Sequence, residues 1–146
     1  MAEIILRTEN LTKKYDDLIA VNRLNLEISE GEVFGLLGPN GAGKTTTILM
    51  LLGLTEPYFG KAAIHGHDCT RDPIGVKRIV GYLPDNVAFY NDMTGRENLR
   101  FIGEMNGLSR KRCEERIDML LERVGMTGAA DKKVKAYSRG MRQRLG

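Results

Sequence analysis

Apolar positions alternate with polar ones at Ile4 and Leu6 and, more regularly, at Leu24, Leu26 and Ile28, which predicts two half-buried antiparallel strands near the start of the chain. Glu30-Gly31 supplies a turn, and Val33 to Leu37 is a nearly continuous apolar run of the kind expected of a strand buried on both faces. That run stops at a glycine-rich loop. Lys44 to Leu54 has no polar face after Thr47, which predicts a helix buried nearly all round. Short strands are expected at Lys61 to Ile64 and at Ile79 to Leu83, the second ended by Pro84. Thr94 followed by Glu97 has the form of a capping box, and Leu99, Ile102 and Met105 keep helical spacing until Gly107. Ser109 is placed to cap a further helix in which Cys113, Ile117, Leu120, Leu121 and Val124 form one apolar stripe before Gly125. Short strands, then strand–loop–helix, then helices indicate an α/β fold with a helical part in the second half.

Composition narrows the class. Twenty-two Lys and Arg against nineteen Asp and Glu give a net charge of +3, too balanced for a polyelectrolyte tail, and 42% hydrophobic with 28% charged residues suits an ordinary globular domain. The longest apolar run, Ile48 to Leu52, is far short of the roughly 18 residues that a spanning helix needs, and the N-terminus lacks the long apolar stretch of a secretory signal, so a cytosolic location is expected. Cys69 and Cys113 stand far apart in no paired spacing, which predicts reduced thiols. His65, His67 and Cys69 alternate, but without a fourth ligand and beside Gly66 they read as a solvated turn rather than a metal site. Between Asp131 and Gly146 stand six basic residues, Lys132, Lys133, Lys135, Arg139, Arg142 and Arg144, with Asp131 the one acid. Such a cluster forms a solvated helix face or a nucleic-acid patch, and no interleaved aromatic residues favour single strands; no nucleic acid is expected as a partner.

The strongest chemical signal is Gly38-Pro39-Asn40-Gly41-Ala42-Gly43-Lys44-Thr45, which matches GxxxxGK[ST] at every fixed position. Glycines let successive backbone N–H groups turn inward around a phosphate, and the following helix presents its positive end. Lys44 adds a mobile charge for the outer phosphates, and Thr45 offers a hydroxyl to magnesium, which binds hard oxygens. Binding of a nucleoside triphosphate with Mg2+ follows.

At this loop the chain resembles the ATPase domain of ATP-binding cassette (ABC) transporters, whose phosphate loop often reads GPNGAGKTT, as here through Thr46. Tyr15, upstream of Ala20-Val21, sits where that family places an aromatic ring against the adenine of ATP; without the resemblance it reads as a tyrosine packed on a strand edge. Tyr137-Ser138-Arg139-Gly140-Met141-Arg142-Gln143-Arg144-Leu145 resembles the family signature, whose commonest form is LSGGQ, a basic residue and QRL. The resemblance implies that Ser138 and the Gly140 backbone touch the γ-phosphate of ATP held by a second subunit in a head-to-tail dimer.

The match has departures. Asp85 stands where the family usually has a glutamine that contacts magnesium and the attacking water; an ionised aspartate approaches the metal but donates no hydrogen bond. Tyr137, Arg139 and Met141 replace leucine, glycine and glutamine, a form similar to the branch that serves exporters of the ABC-2 type. The family's magnesium-binding Asp, water-polarising Glu and switch His follow the signature, past Gly146.

The resemblance therefore implies a phosphate-loop ATPase fold of the ABC type with its C-terminal core strands missing. Residues 1–84 are expected to form the nucleotide-binding core, and residues 85–146 the linker loop and helical subdomain. Such a chain binds ATP and hydrolyses almost none alone, and it exposes apolar sheet surface. The function implied is that of the ATP-binding subunit of a transporter, lying on the inner face of the membrane through a membrane-spanning permease. Between Pro84 and Leu108 such proteins dock on that partner, where Phe89, Tyr90, Met93 and Phe101 serve as contacts or as core. The alternatives are a soluble ATPase of the same type acting on ribosomes or nucleic acid, and a non-hydrolysing regulatory module.

Overall fold

The computed structural model describes residues 3–146, which divide into two compact units, the first ending at Gly81 and the second Tyr82–Gly146.

In the first unit, β1 (Ile4–Tyr15) and β2 (Leu18–Ser29) form a long antiparallel hairpin in which Tyr15 pairs with Leu18. The two residues left in the turn are Asp16 and Asp17, and Asp16 takes the positive φ of 49° that a tight hairpin turn demands and aspartate tolerates. The ladder is irregular, and polar side chains fill its gaps: the Arg23 N–H donates to Thr12 Oγ1 at 3.0 Å and the Asn10 N–H to Asn25 Oδ1 at 2.9 Å. β3 (Phe59–Ile64) pairs antiparallel with β1, and the short β4 (His67–Asp68) with β3, giving the order β2-β1-β3-β4. At Gly60, φ is 85° and an added Cβ would collide with the backbone of Asn10, so glycine lets β3 lie against β1 there. α1 (Lys44–Leu51) and α2 (Pro73–Ile79) complete the unit. Leu11, Val21, Met50, Ala62, Ile64, Cys69 and Val76 form its core.

Three expectations fail in this region. Val33 to Leu37 is no strand, and Val33 and Leu37 are 99% and 92% exposed. Ile79 to Leu83 is likewise no strand: Ile79 ends α2 and the rest is irregular. Both runs carry the composition of buried strands, but a strand exists only by pairing, and among the described residues neither has a partner. The third is the helix expected to be buried all round. α1 ends at Leu51 and buries Thr47 and Met50, while Ile48 and Leu54 are exposed. Only one side of it meets the sheet.

In the second unit, α3 (Gly95–Met105), α4 (Arg110–Arg123) and α5 (Arg139–Leu145) surround a core of Cys113, Ile117, Leu121, Met126, Ala130, Val134, Tyr137 and Leu145. The capping box is formed: the Glu97 N–H donates to Thr94 Oγ1 at 3.1 Å and the Thr94 N–H to Glu97 Oε2 at 2.7 Å. Ser109 occupies the N-cap of α4 but its side chain makes no capping hydrogen bond. Of the predicted apolar stripe, Cys113, Ile117 and Leu121 are buried and Leu120 is exposed. Arg96 joins α3 to α4 and to the loop beyond it through Asp118 at 2.8 Å, Glu114 at 3.3 Å and Asp131 at 3.5 Å, and Arg100 pairs with Glu114 as well. Among the described residues no helix is long and apolar enough to cross a membrane.

Candidate nucleotide site

The residues expected to bind nucleotide fall in two groups, one in each unit.

The phosphate loop is built on β2. Gly43 precedes α1 with φ 81° and ψ 4°, and a Cβ there would collide with the Ala20 carbonyl oxygen on β2, so only glycine brings the loop this close to the hairpin. The Gly43 carbonyl points into α1 and accepts from both the Thr47 N–H, at 2.8 Å, and Thr47 Oγ1, at 3.0 Å. This buried threonine fixes the angle at which the loop enters the helix. Farther back, the Ala42 N–H donates to the Pro39 carbonyl at 3.2 Å, closing a turn around Asn40 and Gly41. Lys44 folds back over the loop, its Nζ donating to the Gly38 and Pro39 carbonyls at 2.7 Å each.

The start of α1 differs from that of α2, α3 and α5. Asp72, Thr94 and Ser138 cap those helices with side-chain oxygens, whereas α1 has no side-chain cap and no acid in its first turn. A helix start leaves backbone donors without intrahelical partners and carries partial positive charge. Here those donors stand with a lysine ammonium and an exposed Thr45, an arrangement that fits an anion of several oxygens and leaves a hydroxyl for a hard cation.

Tyr15 lies at the end of the same hairpin. Its partner Leu18 is two residues before Ala20, about 7 Å of strand from the point where Gly43 meets β2. The residue is 44% exposed, and Lys13 Nζ lies 5.0 Å from the ring centroid.

The second group comprises Asp85, Ser138 and Gly140. Ser138 caps α5, its Oγ accepting from the Met141 N–H at 3.2 Å, which leaves the hydroxyl proton free to donate elsewhere. Gly140 is exposed, and an added Cβ would meet nothing within 4 Å, so packing within this chain does not require a glycine there. Tyr137 is buried, and its hydroxyl donates to the Ala129 carbonyl at 2.6 Å, anchoring the turn just before Ser138; burial raises its pKa. The Asp85 carboxylate is exposed, while its backbone carbonyl accepts from Gln143 Nε2 at 2.8 Å.

Sequence patterns gave no role to Asn98. It is buried on α3 and holds the backbone of Tyr90 from both sides, its Oδ1 accepting from the Tyr90 N–H at 2.9 Å and its Nδ2 donating to the Tyr90 carbonyl at 3.1 Å. Phe89 packs against the core, and Tyr90 makes an edge-to-face contact with Phe101 at 5.1 Å while staying largely exposed. His67, expected in a solvated turn, pairs with Asp72 at 2.6 Å, and Cys69 beside it is buried, its thiol pushed up to about 11 chiefly by that burial.

Comparison with known proteins identifies the family. Residues 21–146 match the family described as ABC transporter. The chain is 44% identical over 142 residues to YxlF, an uncharacterized ABC transporter ATP-binding protein of Bacillus subtilis, covering 97% of this chain and 46% of that protein. It is 41% identical over 140 residues to the daunorubicin/doxorubicin resistance ATP-binding protein DrrA of Streptomyces peucetius, covering 96% of this chain and 42% of that protein. A solved ATP-binding subunit of an ABC transporter superimposes with a TM-score of 0.80 at 30% identity, over 97% of this chain and 59% of that one. The chain thus spans less than half the length of these two curated relatives.

Proposed function

The chain belongs to the ABC transporter family, and from that premise we propose that it is the nucleotide-binding part of a transporter's ATP-binding subunit, coupling ATP binding and hydrolysis to export. The observation that carries the reading is the start of α1, which no side chain caps among the described residues and which stands with the Gly43 turn and the Lys44 ammonium.

In this reading the backbone donors from Gly41 to Thr46 and the Lys44 ammonium hold the β- and γ-phosphates, and the ammonium exchanges two carbonyl oxygens for phosphate oxygens when ATP arrives. The base stacks on Tyr15. Thr45 would offer its hydroxyl oxygen to magnesium, which would supply charge neutralisation for the phosphates. Ser138, with its hydroxyl proton free, and the Gly140 backbone meet the γ-phosphate of a nucleotide held by a second subunit. Two nucleotides then sit between two copies, and their binding closes the pair. Closure is passed to a membrane-spanning permease through the segment between Pro84 and Leu108, which places the protein on the inner face of the membrane. Similarity to a relative named for drug resistance, together with the signature's form, supports export. Residues 1–146 alone bind nucleotide and turn over almost none.

Titration with MgATP tests the core of this reading. The chain binds, and Lys44→Ala, which removes the ammonium while leaving the helix start, weakens binding at least about tenfold, equal to roughly 1.4 kcal/mol. Unchanged affinity in Lys44→Ala would sink it.

A further inference from the structure

We propose that Lys13 is a positioning residue for the nucleotide base: its ammonium holds one face of the Tyr15 ring and leaves the other to the base. The inference rests on the reading of Tyr15 given above.

Three observations carry it. Lys13 and Tyr15 are two apart on β1, so their side chains leave the same face of the strand, and Lys13 Nζ lies 5.0 Å from the ring centroid, within the range of a cation–π contact. A ring has two faces; the ammonium occupies one, and the 44% exposure of Tyr15 leaves the residue open to a ligand. The same ammonium donates to the Glu56 carbonyl at 2.6 Å. Glu56 lies in the loop that follows α1, and that loop is also tied to β1 by the Tyr58 N–H, which donates to the Thr12 carbonyl at 2.8 Å. One end of α1 carries the phosphate loop, and the chain leaving its other end anchors the cation that fixes the ring. Base platform and phosphate cradle are thereby referred to one helix, and the tyrosine loses less rotamer freedom when a base arrives.

The test compares two ligands, MgATP and magnesium tripolyphosphate, which has the phosphates and no base. Affinities are measured for the wild-type chain, Tyr15→Ala, Lys13→Met, Lys13→Gln and Lys13→Arg, with circular dichroism to confirm that the fold is kept. Lys13→Met retains the apolar stem, and Lys13→Gln retains a donor for Glu56 without the charge. Both are expected to lower ATP affinity about two- to fivefold and to leave tripolyphosphate affinity unchanged, with Lys13→Arg restoring ATP binding. Wild-type ATP affinity in Lys13→Gln, alongside a loss in Tyr15→Ala, overturns the role of Lys13 alone. An equal loss for both ligands also overturns it, because Lys13 then acts as a charge on the phosphates. No loss in Tyr15→Ala overturns the reading of the base platform, and this inference with it.

Discussion

Gln143 and Asp85 stand 58 residues apart in sequence, and the Gln143 side-chain amide donates to the Asp85 backbone carbonyl at 2.8 Å and to that of Pro84 at 3.3 Å. Arg142, its neighbour, donates to Asn91 Oδ1 at 2.9 Å, and the Lys135 N–H to the Asn91 carbonyl at 3.0 Å. Polar side chains of the signature stretch, with the Lys135 backbone just before it, therefore hold the segment that carries Asp85. Replacing Gln143 with Glu turns a donor into an acceptor facing two carbonyls. It is expected to cost about 1–2 kcal/mol and to speed amide hydrogen exchange over residues 84–91, with Gln143→Ala intermediate. Unchanged exchange in both variants would show that these bonds do not restrain the segment.

Asn98 gives a sharper test, because it is buried and its partners are backbone groups. Asn98→Leu keeps the volume and leaves the Tyr90 N–H without its acceptor, while the Tyr90 and Thr94 carbonyls lose the amide donor and keep the Met93 and Asn98 backbone N–H groups. The expected loss is about 1–3 kcal/mol in urea unfolding, with no change in MgATP affinity measured well below the midpoint.

Two glycines should respond in opposite ways to alanine. Gly43→Ala drives a Cβ into the Ala20 carbonyl at φ 81° and is expected to abolish nucleotide binding. Gly140→Ala meets open space within α5, so stability holds or rises by about 0.5–1 kcal/mol. If its backbone faces a second subunit's nucleotide, ATP-dependent association seen by sedimentation weakens while monomer stability does not.

Acid should loosen the second unit. A hydrogen bond from Arg100 holds the Glu114 carboxyl below the usual glutamate range, and Lys135 does the same for Asp92. A carboxylate depressed in the folded state contributes stability that is fully present above its unfolded pKa and is lost as pH falls through the folded one. These groups add no pH dependence between about pH 7 and 5.5, and the melting temperature declines below about pH 4.5. Glu114→Gln is expected to flatten that decline, in melting curves followed from pH 7 to 3.

Thiol reactivity checks the two cores at once. Cys69 and Cys113 are both buried, and burial pushes the Cys69 thiol up, so a disulfide reagent at neutral pH should modify neither in the native chain and both in denaturant. Rapid modification of Cys69 alone would mean that the sheet unit opens locally.

What the sequence by itself determined is local. Gly38 to Thr45 specify a phosphate loop because the backbone geometry is written in consecutive residues, and the same holds for the Thr94–Glu97 box. Only the tertiary structure decided the rest. Val33 to Leu37 has the apolar composition of a strand and is none, because a ladder needs a neighbour and none is present among the described residues. Asn98 reads as one polar residue of a helix until Tyr90 is brought beside it. Lys13 reaches the Glu56 carbonyl 43 residues on, and Gln143 reaches back 58 to Asp85. No periodicity encodes such contacts, since each depends on where two distant pieces of chain are held when the cores close around Leu11 in one unit and Leu121 in the other.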